Sequence, residues 1–252
     1  MKFALSLYVA VLGAELSCAM PSIIGGQLAG KGAAPYMISI RKDGAHQCGG
    51  SLISKYYVLT AGHCLMNFVP RSLTVVAGSN SLKEGGVERN VSKGITNPDF
   101  DSIKQINDIA LLKLSEPFEF TDAIKPIALF RKQDIKAGTN VSAYGWGYTS
   151  WPGTARPSEL SVVNIETTSA AACRDRWFNY NKRNITKNHV CTKADDRGTC
   201  QGDSGGPLVL IDKNNKTELV GLVSFGVPCV QGYPDVFTKV SSFLKWIADN
   251  SV

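Results

Sequence analysis

Gly198-Thr-Cys-Gln-Gly-Asp-Ser204-Gly-Gly-Pro207 is the stretch on which the reading of this 252-residue chain turns. A serine stands in a run of glycines, with an aspartate directly before it and Cys200 four positions earlier. Glycine permits sharp turns and close backbone approach, so the Ser204 hydroxyl and nearby N–H groups are able to converge on one point. Acyl transfer requires that convergence, a nucleophile beside donors for a developing oxyanion. A bare Gly-x-Ser-x-Gly also fits a surface turn, but the flanking Cys and Pro make the longer string more restrictive. Chemistry at Ser204 needs a base and an orienting acid from elsewhere in the chain.

The beginning of the chain sets the compartment. Met1-Lys2 is a positive start, Phe3 to Ala14 an apolar run, and Ser17-Cys18-Ala19 a set of small residues. That order describes a secretory leader over residues 1–19. Glu15 interrupts the run well short of the roughly 20 apolar residues that a membrane span requires, so no membrane association is expected. Cleavage after Ala19, with Ala14 the alternative, leaves Met20 to Ser22 as a short propeptide and 23–252 as the secreted, extracellular body. Of the seven cysteines Cys18 leaves with the leader, and Cys48, Cys64, Cys173, Cys191, Cys200 and Cys229 remain. An even set in an oxidising compartment indicates disulfides, with the pairing open from the residues alone. No Cys-x-x-Cys pair occurs and His46, His63 and His189 are scattered, so neither a metal nor a cofactor is expected. Glycosylation sequons at Asn90, Asn140, Asn184 and Asn215 agree with secretion, although Asn140 leads into a strand-like segment.

Lys and Arg outnumber Asp and Glu by 27 to 21, and losing Lys2 and Glu15 with the leader keeps the balance at +6. The densest basic patch holds Arg174, Arg176, Lys182, Arg183 and Lys187, with Trp177, Phe178 and Tyr180 interleaved. Such a mixture is able to bind nucleic acid or a sulfated polymer; a solvated face is the simpler reading, and no nucleic-acid partner is expected.

With 44% apolar residues, the chain has material for one large all-β unit or two small domains. Short apolar runs at Tyr36 to Arg41, Gly49 to Thr60, Leu73 to Ala77, Ile109 to Leu114, Val141 to Trp146, Leu208 to Ile211 and Leu219 to Phe225 are separated by Gly, Asn, Pro and Asp clusters. That cadence predicts antiparallel barrels or sandwiches. Two segments read as helix. One runs from Ser169, a potential cap, to Phe178; the other starts near Ser241 and sets Phe243, Trp246 and Ile247 on one face.

Two partners for Ser204 follow. His63, in Thr60-Ala-Gly-His63-Cys64, ends an apolar strand beside a disulfide-forming cysteine, so its backbone is firmly held, and His is the side chain that titrates nearest physiological pH. Asp108 opens the very apolar Ile109-Ala-Leu-Leu112 and so stands at the edge of the core, where a carboxylate needs a partner. A buried Asp accepting from imidazole holds the tautomer that general-base catalysis needs.

His63 in TAGHC, Asp108 in NDIALL and Ser204 in GDSGGP, in that order, resemble the trypsin/chymotrypsin family of serine endopeptidases from Ile23 to the C-terminal helix. The resemblance implies two six-stranded antiparallel β-barrels, an all-β fold with a short intermediate helix, a C-terminal helix, a boundary near 125–140 and the active site in the cleft. It implies Ser204 as nucleophile, His63 as base and then acid, Asp108 as orienting carboxylate, and the N–H groups of Gly202 and Ser204 as oxyanion hole. It also implies the disulfides Cys48–Cys64, Cys173–Cys191 and Cys200–Cys229. A new terminus at Ile23 would pair with Asp203, and His46 becomes a candidate partner of Asp203 in an inactive state. Protein or peptide substrates, protein protease inhibitors and a monomer are the expected partners and assembly. A catalytically inactive homologue serving as a binding module is the alternative; such chains usually lose His or Ser, and neither is lost here.

The sequence departs from the family's pattern in three places. Ser22, rather than Arg or Lys, precedes Ile23, so a non-tryptic protease is expected to trim the propeptide. Gly198 stands where trypsin-like members carry the pocket aspartate, while Asp235 in Gly232-Tyr-Pro-Asp235-Val-Phe occupies the opposite wall. With Thr199, Ser224 and Gly226 these residues make up the expected specificity pocket, and Ser224-Phe225-Gly226 the expected partner of the substrate backbone. The combination is similar to arthropod, insect-type chymotrypsins and crustacean serine collagenases, implying large apolar P1 residues with basic tolerance through Asp235. The family's calcium loop is not reproduced, since Ser79 replaces the first expected Glu and only Glu84 and Glu88 remain.

Overall fold

The computed structural model describes residues 23–149, 156–193, 196–227, 229 and 231–252. The leader, the propeptide and Cys18 fall outside the described residues. The strands in the first half are β1 (Gln27–Leu28), β2 (Met37–Lys42), β3 (Ala45–Leu52), β4 (Tyr57–Thr60), β5 (Leu73–Ala77), β6 (Val87–Thr96) and β7 (Ala110–Leu114). The second half supplies β8 (Ala128–Leu129), β9 (Asn140–Gly145), β10 (Ser161–Glu166), β11 (His189–Cys191), β12 (Pro207–Ile211), β13 (Thr217–Phe225) and β14 (Val236–Lys239). Helix α1 (Ala170–Asn181) precedes β11, and α2 (Leu244–Asn250) follows a short 3₁₀ turn at Val240–Phe243.

Strands β2-β3-β4-β7-β6-β5 close into a six-stranded barrel. The second sheet runs β1-β10-β9-β12-β13-β14-β11, with β8 added in parallel to β13. Its path bends back on itself: Thr168 N donates to Cys191 O at 2.9 Å and Lys193 N to Glu166 O at 2.7 Å, joining the ends of β10 and β11. The second unit is therefore six main strands joined into a ring, with the two-residue strands β1 and β8 laid on it. The last strand of the first barrel ends at Leu114, and Ala128 already pairs in the second sheet.

Each sheet buries its own apolar interior. Ile38, Leu52, Val75, Leu112 and Phe118 fill the first barrel, and Ile23, Val141, Leu208, Val220 and Phe237 fill the second. A third cluster, including Met37, Leu59, Tyr144, Trp146, Leu222 and Ile247, packs the two units against each other. The chain ends reinforce that join. Ile23 and β1 lie with the second sheet, while the C-terminal segment returns to the first barrel, where Tyr57 Oη donates to Val252 O at 2.6 Å.

Two of the helix expectations meet their physical cause. Ser169 is extended and its Oγ accepts from Ala172 N at 3.1 Å, capping α1. Phe243 and Ile247 are buried as their spacing predicts, but the segment begins as a 3₁₀ turn before α2. Strand β6 went unread because only Val91 of its ten residues is buried, so it carries no alternation.

Candidate active site

Pairing within the first barrel brings His63 and Asp108 together. Strands β4 and β7 are antiparallel neighbours with Thr60 opposite Ala110, so the residues just after β4 face those just before β7. His63 sits in the 3₁₀ turn Gly62–Leu65, and its Nδ1 lies 2.7 Å from Asp108 Oδ2 while its backbone N donates to Oδ1 at 2.8 Å. Gly62 leaves little room for a side chain, because a Cβ there would fall 3.3 Å from Asp108 Oδ1 and 3.1 Å from Phe100. From the second sheet, Ser224 Oγ on β13 donates to Asp108 Oδ2 at 2.6 Å, and Thr238 Oγ1 on β14 donates to Asp108 O at 2.7 Å. Asp108 is thus wholly buried with three donors on its carboxylate, as a buried charge requires. With Asp108 accepting at Nδ1, His63 presents Nε2 as the free acceptor.

Ser204 lies in the loop before β12, anchored to the first barrel through Gly49 N donating to Ser204 O at 2.8 Å. His63 and Ser204 line one cavity of about 410 Å³; among the described residues no hydrogen bond joins their side chains. Within the loop, Cys200 N donates to Asp203 Oδ2, Asp203 N to Cys200 O, Gly205 N to Val223 O and Gly206 N to Asp203 O. The N–H groups of Gln201, Gly202 and Ser204 donate to no described residue. Gly202 has φ +100°, a backbone state that glycine tolerates best, and this turns the loop.

His46 Nε2 lies 2.9 Å from Gly202 O and its Nδ1 2.9 Å from Ser39 Oγ. The carbonyl needs a donor, so Nε2 carries the proton and Nδ1 accepts from the hydroxyl. Burial pushes the His46 pKa down to about 4, which keeps this neutral tautomer. His46, the candidate partner of Asp203 in an inactive state, is here bonded to the backbone of the loop that bears Ser204. Asp203 is turned the other way, toward Gly145 and Gly147. Gly147 N donates to Oδ1 at 2.7 Å, and a Cβ on either glycine would fall 2.0 or 2.3 Å from a carboxylate oxygen. Burial, opposed by those backbone donors, raises the Asp203 pKa to about 7.

On the pocket side, Thr199 N and Oγ1 donate to Asp235 Oδ2 at 2.6 and 2.9 Å. Asp235 Oδ1 faces Gly226, where a Cβ would approach to 2.7 Å. Asp235, Thr199, Ser224 and Gly226 all line the cavity that holds His63 and Ser204. Gly198 does not; it pairs with Ile24, its N donating to Ile24 O at 3.2 Å. Desolvation raises the Asp235 pKa to about 6 despite both bonds from Thr199.

The disulfides are Cys48–Cys64, Cys173–Cys191 and Cys200–Cys229, the pairing that the resemblance implied. Cys48, His63 and Cys64 crowd together, but the two sulfurs are spent on each other and offer no thiolate to a metal. All four sequon asparagines, Asn90, Asn140, Asn184 and Asn215, are exposed.

A trypsin family model matches residues 23–247. The chain belongs to the trypsin family. It is 39% identical over 233 residues to chymotrypsin-2 of Vespa crabro, covering 91% of this chain and 100% of that protein. It is 34% identical over 230 residues to trypsin delta of Drosophila melanogaster, covering 91% of this chain and 88% of that one. As a member of the trypsin family it is a serine endopeptidase hydrolase, and its two-sheet architecture is that of the chymotrypsin fold.

Sequence reasoning missed one wall of this family's cleft. Gln105, Trp177 and Arg183 line the same cavity as His63 and Ser204, together with Phe225 of the expected substrate-pairing segment. Arg183 had been assigned to a solvated basic face; it is half-buried, its guanidinium carbon 4.5 Å from the Phe225 ring centre. The signal was present in the interleaved aromatics, but nothing in the sequence located Phe225 beneath them.

Proposed function

We propose that this chain is a secreted endopeptidase that cleaves peptide bonds through Ser204, His63 and Asp108. Ser204 Oγ attacks the scissile carbonyl carbon as His63 Nε2 takes its proton, and Asp108 stabilises the imidazolium through Nδ1. The carbonyl oxygen, now negative, is received by the N–H groups of Gly202 and Ser204. His63 then gives the proton to the departing amine, leaving an acyl-enzyme that water hydrolyses by the same steps. These steps are the mechanism of the trypsin family itself. The observation that carries the reading is Asp108 holding His63 at 2.7 Å, fixed from both sheets, in a cavity shared with Ser204.

Large apolar P1 residues (P1 contributes the scissile carbonyl) are the preferred substrates, with basic P1 accepted through Asp235. Oδ2 is occupied by Thr199, which leaves Oδ1 as the free acceptor beside Gly226. Activation exposes the Ile23 ammonium, which pairs with Asp203. The enzyme works as an extracellular monomer on protein or peptide substrates, is open to protein protease inhibitors, and carries glycans on the exposed sequons.

Labelling by a serine-directed phosphonylating reagent tests the nucleophile. The chain processed to Ile23 should be modified at Ser204 and the Ser204→Ala variant should not. An unlabelled, correctly processed chain would point instead to an inactive homologue. A panel of peptides varied at P1, run on the protein and on Asp235→Gly, tests the pocket. Unchanged preferences would remove Asp235 from the specificity.

A further inference from the structure

Lys182 closes α1 in the left-handed region at φ 62° and turns the chain, carrying Arg183 back over the catalytic cavity. Its guanidinium carbon lies 4.5 Å from the Phe225 ring centre and 5.9 Å from that of Trp177. One nitrogen, Nη1, donates to Gln105 Oε1 in a short contact. Trp177 is itself locked, its indole nitrogen donating to Pro234 O at 3.0 Å, so the platform beneath Arg183 is rigid. Gln105 is fixed from the other side by its backbone oxygen, 3.2 Å from His189 Nε2.

This arrangement leaves donors without acceptors. A guanidinium has five N–H groups in a planar fork, and Gln105 engages a single nitrogen. No carboxylate pairs with Arg183 among the described residues, and the Gln105 side-chain NH₂ donates to none of them. Partial desolvation against the rings lowers the Arg183 pKa from its usual value, so a compensating anion would be favoured there. The nearby charged groups add to the positive field. Arg176 stacks on Tyr233 at 5.1 Å and Lys182 on Phe178 at 4.7 Å. A planar, donor-only wall with a cation on an aromatic shelf matches a carboxylate, which accepts two parallel N–H bonds from Arg.

We propose that Arg183, seated on Phe225 and bonded to Gln105, forms with the Gln105 amide a carboxylate-binding subsite that selects an acidic side chain at P2, P3 or P4 of the substrate. The position follows from Phe225, which belongs to the Ser224-Phe225-Gly226 segment expected to pair with substrate backbone preceding the scissile bond. This deepens the reading of the site as an endopeptidase cleft and rests on it. It makes the wall opposite in sign to Asp235: the cleft takes a neutral or basic residue at P1 and an acidic one upstream.

The experiment compares peptides with one good apolar P1 and Glu, Gln or Lys placed in turn at P2, P3 and P4. The processed chain, Arg183→Gln and Arg183→Lys are assayed for kcat/KM, and Kd is read on Ser204→Ala, where nothing is cleaved. A charge-assisted bond favours the carboxylate over the amide, so Glu should exceed Gln about tenfold, equivalent to about 1.4 kcal/mol, at one position. Lys should fall below Gln there. Arg183→Gln should bring the Glu/Gln ratio to within about twofold, and Arg183→Lys should keep part of the preference. Equal Glu and Gln values at all three positions, in both kcat/KM and Kd, overturn the subsite, as does a preference that survives Arg183→Gln. Failure to cleave any peptide overturns the endopeptidase reading instead, because the Kd comparison on Ser204→Ala still reports the charge preference.

Discussion

Asp235 carries the specificity question at the level of single residues. A carboxylate lifted to a pKa of about 6 by burial changes charge over the weakly acidic range. Above that pH it is ionised and attracts a basic P1; below it the pocket is neutral and suits an apolar side chain. The ratio of kcat/KM for a P1-Lys peptide to that for a P1-Phe peptide should therefore fall, by about tenfold or more, between pH 8 and pH 5, since each 1.4 kcal/mol is a factor of ten. Thr199→Val removes one of the two bonds that favour the ionised form, so the midpoint of this change should move to higher pH. A ratio independent of pH in the native enzyme would exclude Asp235 as the titrating group.

Among the elements, α1 shows how local chemistry and long-range placement divide the work. Ser169 satisfies an N–H at the start of the helix, and Ser169→Ala should cost about 1 kcal/mol, read as a lower denaturant midpoint. Because Cys173–Cys191 and the Trp177–Pro234 bond hold the helix independently, kcat/KM for a neutral apolar-P1 peptide should not change. A loss of activity at unchanged stability would mean that the cap positions the cleft. The cap was legible in the sequence, as was β5, because capping and apolar runs are local properties. Strand β6 was not, since it borrows its pairing from β5 and β7 and buries almost nothing itself. At the site, Ser204, His63 and Asp108 announced themselves through motifs. Gln105 and Arg183 did not, because their meaning comes from Phe225, which only the fold brings to them.

At the scale of the whole molecule, the proposed pairing of Asp203 with a new terminus at Ile23 would link the start of the folded chain to the loop bearing Ser204. In the chain that runs on from Ser22, its carboxylate has backbone donors at Cys200 and Gly147 but no ion-pair partner among the described residues. Burial raises its pKa from 3.8 to about 7, with the charge of Asp235 adding to the rise and that of Arg156 opposing it. The folded state thus holds this proton more tightly than the unfolded state. Its contribution to stability is complete below about pH 4 and is lost as pH rises through about 7. The loss is on the order of 4 kcal/mol, at about 1.4 kcal/mol per unit. Pairing with an Ile23 ammonium reverses the sign, because an ionised Asp203 is then favoured and stabilises above its unfolded pKa. The prediction compares two Ser204→Ala chains, one beginning at Ile23 and one retaining Met20 to Ser22. The Tm advantage of the first should grow from pH 4 to pH 7.5 by several degrees, at roughly 2–4 °C per kcal/mol for a chain of this size. In Asp203→Asn versions of both chains the advantage should be flat with pH. A constant advantage in the unsubstituted pair would mean that the new terminus never reaches Asp203, and activation would have to be sought in another contact of the oxyanion loop.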